Sequence, residues 1–415
     1  MAQSPLNIHF ARNNLLFYSL LLIITPFLML QNYLQDAIGL LSAWSLNLGS
    51  VKIPYILIAF FILLISLIIR FRNGFTKKRI LAWLAILLMW IVAQNIADYY
   101  LNLPFYQLQN NWHYFAYGIF AFLAYQYYSG KNTNPAHLII RIFFTAMAIS
   151  TFDEIMQGFI SSRVFDISDI AKDLWGVLMG IIFLFFVYAD VALFKKGKRI
   201  REKKLKDYLS NPLAMLVYML LFTFILLNVS STLSDAGYGF VTVGITSGIF
   251  LIIFLLIHIT REKTEKIVIG SILGVLVIIL GISVSSNFNR NITQCNPGMV
   301  VYKGVPIPYF DFMIFENGCF RPVDKKTHFN HPDINFFFTK ASKILLIGSG
   351  QDAIPRMGFR EDLTSQFIYN EVTGEPLQVI ILPTGEACKV FNRLKREKKE
   401  VVFIVHNAKT REVES

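Results

Sequence analysis

Residues 152–180 read FDEIMQGFISSRVFDISDIAKDLWGVLMG and hold five acids and two bases. The rest of the chain is greasy: 54% of its 415 residues are hydrophobic, 16% are charged, and Phe alone occurs 38 times. That balance excludes an ordinary soluble domain and points to a polytopic membrane protein. In such a chain, acids beside an apolar run are costly unless they face water or a partner, so this stretch is the natural place to look for function.

Working outward, apolar runs of about 20 residues, enough to cross roughly 30 Å of hydrocarbon, recur along positions 1–286. Nine are expected, near 13–30, 53–70, 80–97, 113–128, 137–153, 173–193, 213–230, 240–259 and 267–286. The net charge of +12 does not describe a nucleic-acid-binding face, because the bases fall into particular loops. Residues 70–79 hold five Lys or Arg, 195–206 hold eight and 261–266 hold three, whereas 98–112 and 230–239 hold none. The positive-inside rule therefore places those three loops and the amino terminus in the cytoplasm. Nine crossings would leave the carboxyl-terminal part outside, in a multi-pass protein of the inner (plasma) membrane. The first apolar run lacks a small-residue cleavage site and is expected to stay as a helix.

Within the charged stretch, Asp153 and Glu154 lie four and three residues before Gln157, so a helix puts all three on one side. Asp166, Asp169, Asp173, Gly176 and Gly180 step by 3, 4, 3 and 4, which makes one helical stripe with an acidic end and a glycine end. Small residues four apart let another helix approach, so Gly176 and Gly180 are read as a packing seam. Arg163 stands between the acids. Its guanidinium either bridges carboxylates or grips a ligand phosphate. His113 opens the fourth expected span from the same side, with Trp112 and Tyr117 beside it. It belongs either to an interfacial aromatic belt or to the acids as an acid–base partner.

This set resembles the VanZ-like family, named from teicoplanin resistance. The resemblance covers about 80–193 and is carried by His113, Asp153, Glu154, Gln157, Arg163, Asp166, Asp169, Asp173, Gly176 and Gly180. Two positions depart from it: Gln109 stands where relatives often have Asp, and Asp173 where they often have Asn. The resemblance implies an envelope membrane protein linked to low-level glycopeptide tolerance, in contact with membrane lipids and with an amphiphilic ligand.

After Phe288 the composition changes to short β-type runs separated by turns, as expected of a soluble α/β domain over 290–415. GMVVYKG, FDFMIFENGCF, KILLIGSG, LQVIILP and EVVFIVHN read as strands, and EACKVFNRLKRE as an amphipathic helix with apolar residues at 387, 390, 391 and 394. The G-S-G after ILLI lacks the third glycine of a dinucleotide site, so no cofactor is expected. The carboxyl-terminal stretch resembles the Mth938-like domain family through Thr384, Gly385, Ala387, Cys388 and Asn392. Thr384 reads as a helix N-cap, Asn392 as polar packing and Cys388 as a buried small hydrophobe. Cys295 and Cys319 flank the first hairpin, and an oxidising compartment would allow them to pair.

The favoured function is binding of a lipid-linked or glycopeptide-like amphiphile by the outward polar cluster. An enzyme acting on a lipid headgroup, with His113 as base and Asp153 or Glu154 as orienting acid or metal ligand, is the alternative. A transporter is a third reading. No metal set is expected near the cluster, and protein partners are not legible.

Overall fold

The computed structural model describes residues 5–29, 44–48, 51–55, 76–97, 108–130, 134–159, 165–189, 200–233, 238–260, 291–296, 298–308, 310–323, 343–350, 365–369 and 376–407, with isolated positions in 58–69 and at 99. It divides into two compact units. Met1–Ser234 with Val241–Ile259 form the first, and Asp235–Phe240 with Thr260–Ser415 the second.

The first unit is helical: α1 (Pro5–Met29), the hairpin β1 (Ser45–Leu48) and β2 (Val51–Pro54), then α2 (Lys77–Ile96), α3 (Leu108–Ser129), α4 (Pro135–Gln157), α5 (Ile167–Phe183), α6 (Leu205–Tyr208), α7 (Pro212–Thr232) and α8 (Gly239–Ile259). Local chemistry sets several starts. Asn134 accepts from the Ala136 N–H and Asn211 from those of Leu213 and Ala214, each followed by a proline at the first helical position, where its missing N–H costs nothing. Asp166 does the same for α5 through the Ser168 N–H at 2.7 Å.

Among the described residues, four helices are long and apolar enough to cross a membrane: α2, α5 with its one-turn π extension to Tyr188, α7 and α8. The expected count of nine is not reached. In α1 the apolar helix shortens to Ala11–Thr25, while α3 starts with polar residues and α4 carries Arg141, Asp153 and Glu154. The second and ninth expected runs fall largely or wholly outside the described residues. Burial ranks the four: 78% of the apolar stretch of α5 is buried, against 11% for α8. Thus α5 is the centre of the bundle, with Leu174, Val177, Leu178 and Ile181 fully buried, whereas α8 turns apolar side chains outward, as lipid requires.

Polar ties hold the neighbours of α5 in place. The Trp175 indole donates to the Met89 carbonyl of α2 at 2.9 Å, the Trp90 indole and the Gln94 amide both donate to Asn111 Oδ1 of α3, and the Tyr18 hydroxyl of α1 reaches the Ala116 carbonyl.

In the second unit, three antiparallel strands, β3 (Ile292–Asn296), β4 (Met299–Tyr302) and β5 (Val305–Pro308), form a small sheet. A larger sheet contains β6 (Phe312–Ile314), β7 (Phe320–Pro322), β8 (Ile344–Gly348), β9 (Ser365–Tyr369), β10 (Pro376–Leu382) and β11 (Val402–Val405), in the order β7-β6-β11-β8-β10-β9. The three middle strands, β11, β8 and β10, run parallel; β11 and β8 are buried throughout, and β10 buries Leu377 and Val379. Helix α9 (Thr384–Arg396) links β10 to β11 and buries Ala387, Cys388, Phe391 and Leu394 against Tyr302, Leu346 and Phe403.

The expected Cys295–Cys319 pair does not form. Cys295 on β3 bonds instead to Cys388 on α9, with Cα atoms 6.7 Å apart, and Cys319 is free. The cause is topological: β3 packs along α9, which brings together residues 93 apart in sequence, and Cys388 is therefore a cross-link as well as a buried side chain. Thr384 is the first residue of α9, not its cap, which is Pro383. Its hydroxyl donates to the His406 carbonyl at 2.8 Å and accepts from the Gly350 N–H at 2.9 Å, joining the ends of three elements. Asn392 takes the Ile292 N–H on Oδ1 and gives its own amide N–H to the Ile292 carbonyl.

Candidate functional site

The close pairing of α3 with α5 builds the site. A Cβ placed on Gly176 would lie 2.7 Å from Tyr114 Cα, and one on Gly180 would lie 2.9 Å from both Ala121 Cβ and the Gly118 carbonyl oxygen. No side chain fits either place, so backbone meets backbone, as at small-residue seams in membranes. One turn before Gly176, the same face of α5 presents Asp173. One residue before Tyr114, α3 presents His113. The seam thus places the imidazole against the carboxylate, with Nδ1 2.8 Å from Asp173 Oδ1. On its other edge, His113 Nε2 is 3.7 Å from Asp169 Oδ1, which also takes the Lys172 ammonium at 2.7 Å.

Helix α4 supplies the third wall. Ser150, Asp153, Glu154 and Gln157 form one stripe, all of it buried. The Ser150 hydroxyl donates to Asp173 Oδ2 at 2.6 Å. Gln157 donates to Glu154 Oε1 at 2.8 Å and to Asp153 Oδ2 at 3.3 Å, while Glu154 Oε2 accepts the Asp166 N–H that begins α5. Glu154 and Asp173 are each 1% exposed. Among the described residues, three buried polar atoms in this region have no hydrogen-bond partner, Asp153 Oδ1, Ser168 Oγ and the Tyr117 hydroxyl.

Of the residues singled out in the sequence, the structure brings together His113, Asp169 and Asp173 in one group and Asp153, Glu154, Gln157 and Asp166 in another, with Ser150 bridging toward the first. Arg163 and the side chain of Gln109 lie outside the described residues. Ser150, Lys172 and Tyr117 were not read as members. For Ser150 the signal was present, since it lies three residues before Asp153 on the same helical stripe. For Lys172 it was not: between two acids its charge looks like surface, yet it is 4% exposed. Among the described residues, no group of His, Cys, Asp and Glu could hold a metal ion.

Chemically, the arrangement has an excess of acids over bases, with Glu154 and Asp173 buried and the His113 and Asp169 side chains 20% and 21% exposed. Asp173 fixes the imidazole ring.

Comparison with known proteins gives two matches. The model of the VanZ/LLP1 family matches residues 52–188, which contain α2 to α5 and every cluster residue named above. A solved structure titled MT938 is 23% identical, covers 28% of this chain and 97% of its own, and has a TM-score of 0.22. Among curated proteins, none matches.

Proposed function

We propose that this VanZ-like membrane protein uses the α3–α4–α5 cluster to bind the polar head of a lipid-linked or glycopeptide-like amphiphile at the outer face of the plasma membrane, and so contributes to glycopeptide tolerance. The observation that carries the reading is the orphaned carboxylate oxygen Asp153 Oδ1, buried among the polar groups of α4. Burying a polar atom without a partner costs free energy that a bound donor would recover. A head bearing hydroxyl or ammonium groups supplies such donors, and its tail would lie along the apolar helix surfaces.

The outward orientation is part of this reading and is supported by the charge of the loops that flank α2 to α5. Basic loops flank α2 to α5, at 70–79 before and 195–206 after. In this reading α3 and α4 cross as well, being about 33 Å long at 22 and 23 residues, although their polar residues keep them out of the four helices apolar enough to cross by composition. Four consecutive crossings return the chain to its starting side, so both basic loops face the cytoplasm and the cluster faces out. The Cys295–Cys388 bond supports an oxidising surrounding for the second unit as well. Alkaline phosphatase fused after Ser415 tests that placement, since an expressed but inactive fusion would contradict it.

Binding is tested with Asp153→Asn and Arg163→Ala, measuring teicoplanin sensitivity and membrane level together. Protection lost at normal protein level is expected. Protection lost only in step with protein level would mean that the acids merely hold the helices together, because breaking a buried charged network costs about 3–5 kcal/mol.

The Ser150–Asp173–His113 chain favours a second reading, an enzyme acting on a lipid headgroup. In it Asp173, rather than Asp153 or Glu154, orients His113 as a general base. Lipid profiling of cells with and without the protein separates the two: a changed headgroup species speaks for the enzyme.

A further inference from the structure

The second unit contains a cleft of about 670 Å³, within the range of small-molecule sites, between β3 and the start of α9. It opens where β8, β10 and β11 end. Ligands of open α/β sheets gather at the carboxyl ends of parallel strands, where loops diverge and helix N-termini point. Three features give the cleft a definite chemistry.

The first is the α9 N-terminus. The first N–H groups of a helix have no intrahelical partner and carry its positive pole. The Thr384 N–H is taken by the Gly350 carbonyl, and those of Gly385 and Glu386 follow it. A Cβ on Gly385 would touch nothing, so space stands open in front of that backbone. One turn on, Lys389 lines the same cleft and is exposed.

The second is His406, which lines the cleft and is 7% exposed. Its Nδ1 lies 2.7 Å from Asp311 Oδ1, and the same oxygen accepts the Asn407 N–H at 2.8 Å. Asp311 thus fixes the ring through Nδ1, and Nε2 is left as the ring's remaining hydrogen-bonding atom. Nε2 is buried and has no partner.

The third is Gly350, whose φ of +101° strains any residue with a side chain. A Cβ there would stand 2.9 Å from His406 Cδ2 and 3.6 Å from Nε2, so the imidazole edge lies against the turn that borders the cleft.

We infer that this cleft binds a small phosphomonoester of a polyol, its oxoanion on the N–H groups of Gly385 and Glu386 and on Lys389, and a hydroxyl, able to donate or accept, hydrogen-bonded to His406 Nε2. A lone anion would leave Nε2 unpaired, and a neutral polyol would leave the helix pole unused. Glu386 is exposed, and its carboxylate opposes the oxoanion.

The experiment uses the full chain in phosphatidylcholine nanodiscs, titrated calorimetrically with glycerol 3-phosphate, inorganic phosphate and glycerol. Saturable 1:1 binding of glycerol 3-phosphate is expected, at least about tenfold tighter than phosphate, since a hydrogen bond to an otherwise unpaired buried group is worth about that factor. Lys389→Gln and His406→Gln should each weaken it about tenfold or more, and Glu386→Gln should tighten it. Because His406 is buried, its variant counts only if its melting curve matches that of the parent; Lys389, on the surface, carries the test regardless. No saturable binding, equal affinity for phosphate and glycerol 3-phosphate, or affinity unmoved by Lys389→Gln would each overturn the assignment.

Discussion

Replacing Gly176 with Ala tests how the site is assembled. The new Cβ would lie 2.7 Å from Tyr114 Cα and 2.8 Å from its carbonyl oxygen, atoms of a backbone that cannot rotate away. Carbon–carbon contact needs about 3.5 Å, so α3 and α5 must part by roughly 3.5 − 2.7 = 0.8 Å. Carried to the next turn, that shift stretches His113 Nδ1–Asp173 Oδ1 from 2.8 Å to about 3.6 Å, beyond hydrogen-bond range. Overpacking costs about 1–3 kcal/mol, while Ala gains up to about 1 kcal/mol over Gly in helix propensity, so net destabilisation wins. Gly244→Ala in α8, whose Cβ would meet nothing, keeps the propensity gain without the clash and serves as the control. Thermal unfolding of the detergent-solubilised full chain, followed by tryptophan fluorescence, should show Gly176→Ala melting several degrees lower and Gly244→Ala no lower than the parent. Diethyl pyrocarbonate should also modify His113 faster in the Gly176 variant. A Gly176→Ala protein that melts like the parent, with His113 no more reactive, would refute the idea that this seam holds the imidazole on Asp173.

Asn392→Ala removes both side-chain bonds to Ile292 and leaves that strand's first N–H and carbonyl seeking water, so the second unit should lose about 1–3 kcal/mol; unchanged resistance to denaturant would show that β3 is held by other contacts. Thiol counting by alkylation and mass spectrometry should find one reactive cysteine, Cys319, in the unreduced chain and three after reduction, whereas three at the outset would contradict the Cys295–Cys388 bond. Burial pushes the Cys319 thiol above its ordinary value of 9.0, so iodoacetamide should label it slowly near neutrality and faster with rising pH. By linkage, the folded form keeps that proton longer than the unfolded chain. The stability involved is present below pH 9 and is lost as pH rises past the folded value, so faster labelling at pH 7 than that of a free thiol would speak against the burial.

Much of the helical pattern was legible in the residues themselves, because helix formation answers to neighbours three and four positions apart. The step of Asp169, Asp173, Gly176 and Gly180 marks one face of α5, though Asp166 at its head turns out to be the cap before the helix, and the stripe of Asp153, Glu154 and Gln157 marks one face of another. The amphipathic spacing at 387, 390, 391 and 394 likewise announces α9. The number of spans was less legible. Hydropathy cannot separate a helix facing lipid, such as α8, from one that carries polar groups into a bundle, such as α4.

What the tertiary structure alone decided is who meets whom across distance. His113 finds Asp173 60 residues away, His406 finds Asp311 95 away, and Cys295 takes Cys388 rather than the nearer Cys319. Local periodicity orients each side chain on its own helix or strand but says nothing of which element packs against which. That choice rests on whole surfaces fitting together, here two glycines letting α3 settle on α5 and β3 lying along α9. Each contact is therefore a property of the packing, which many residues determine jointly and no short stretch encodes.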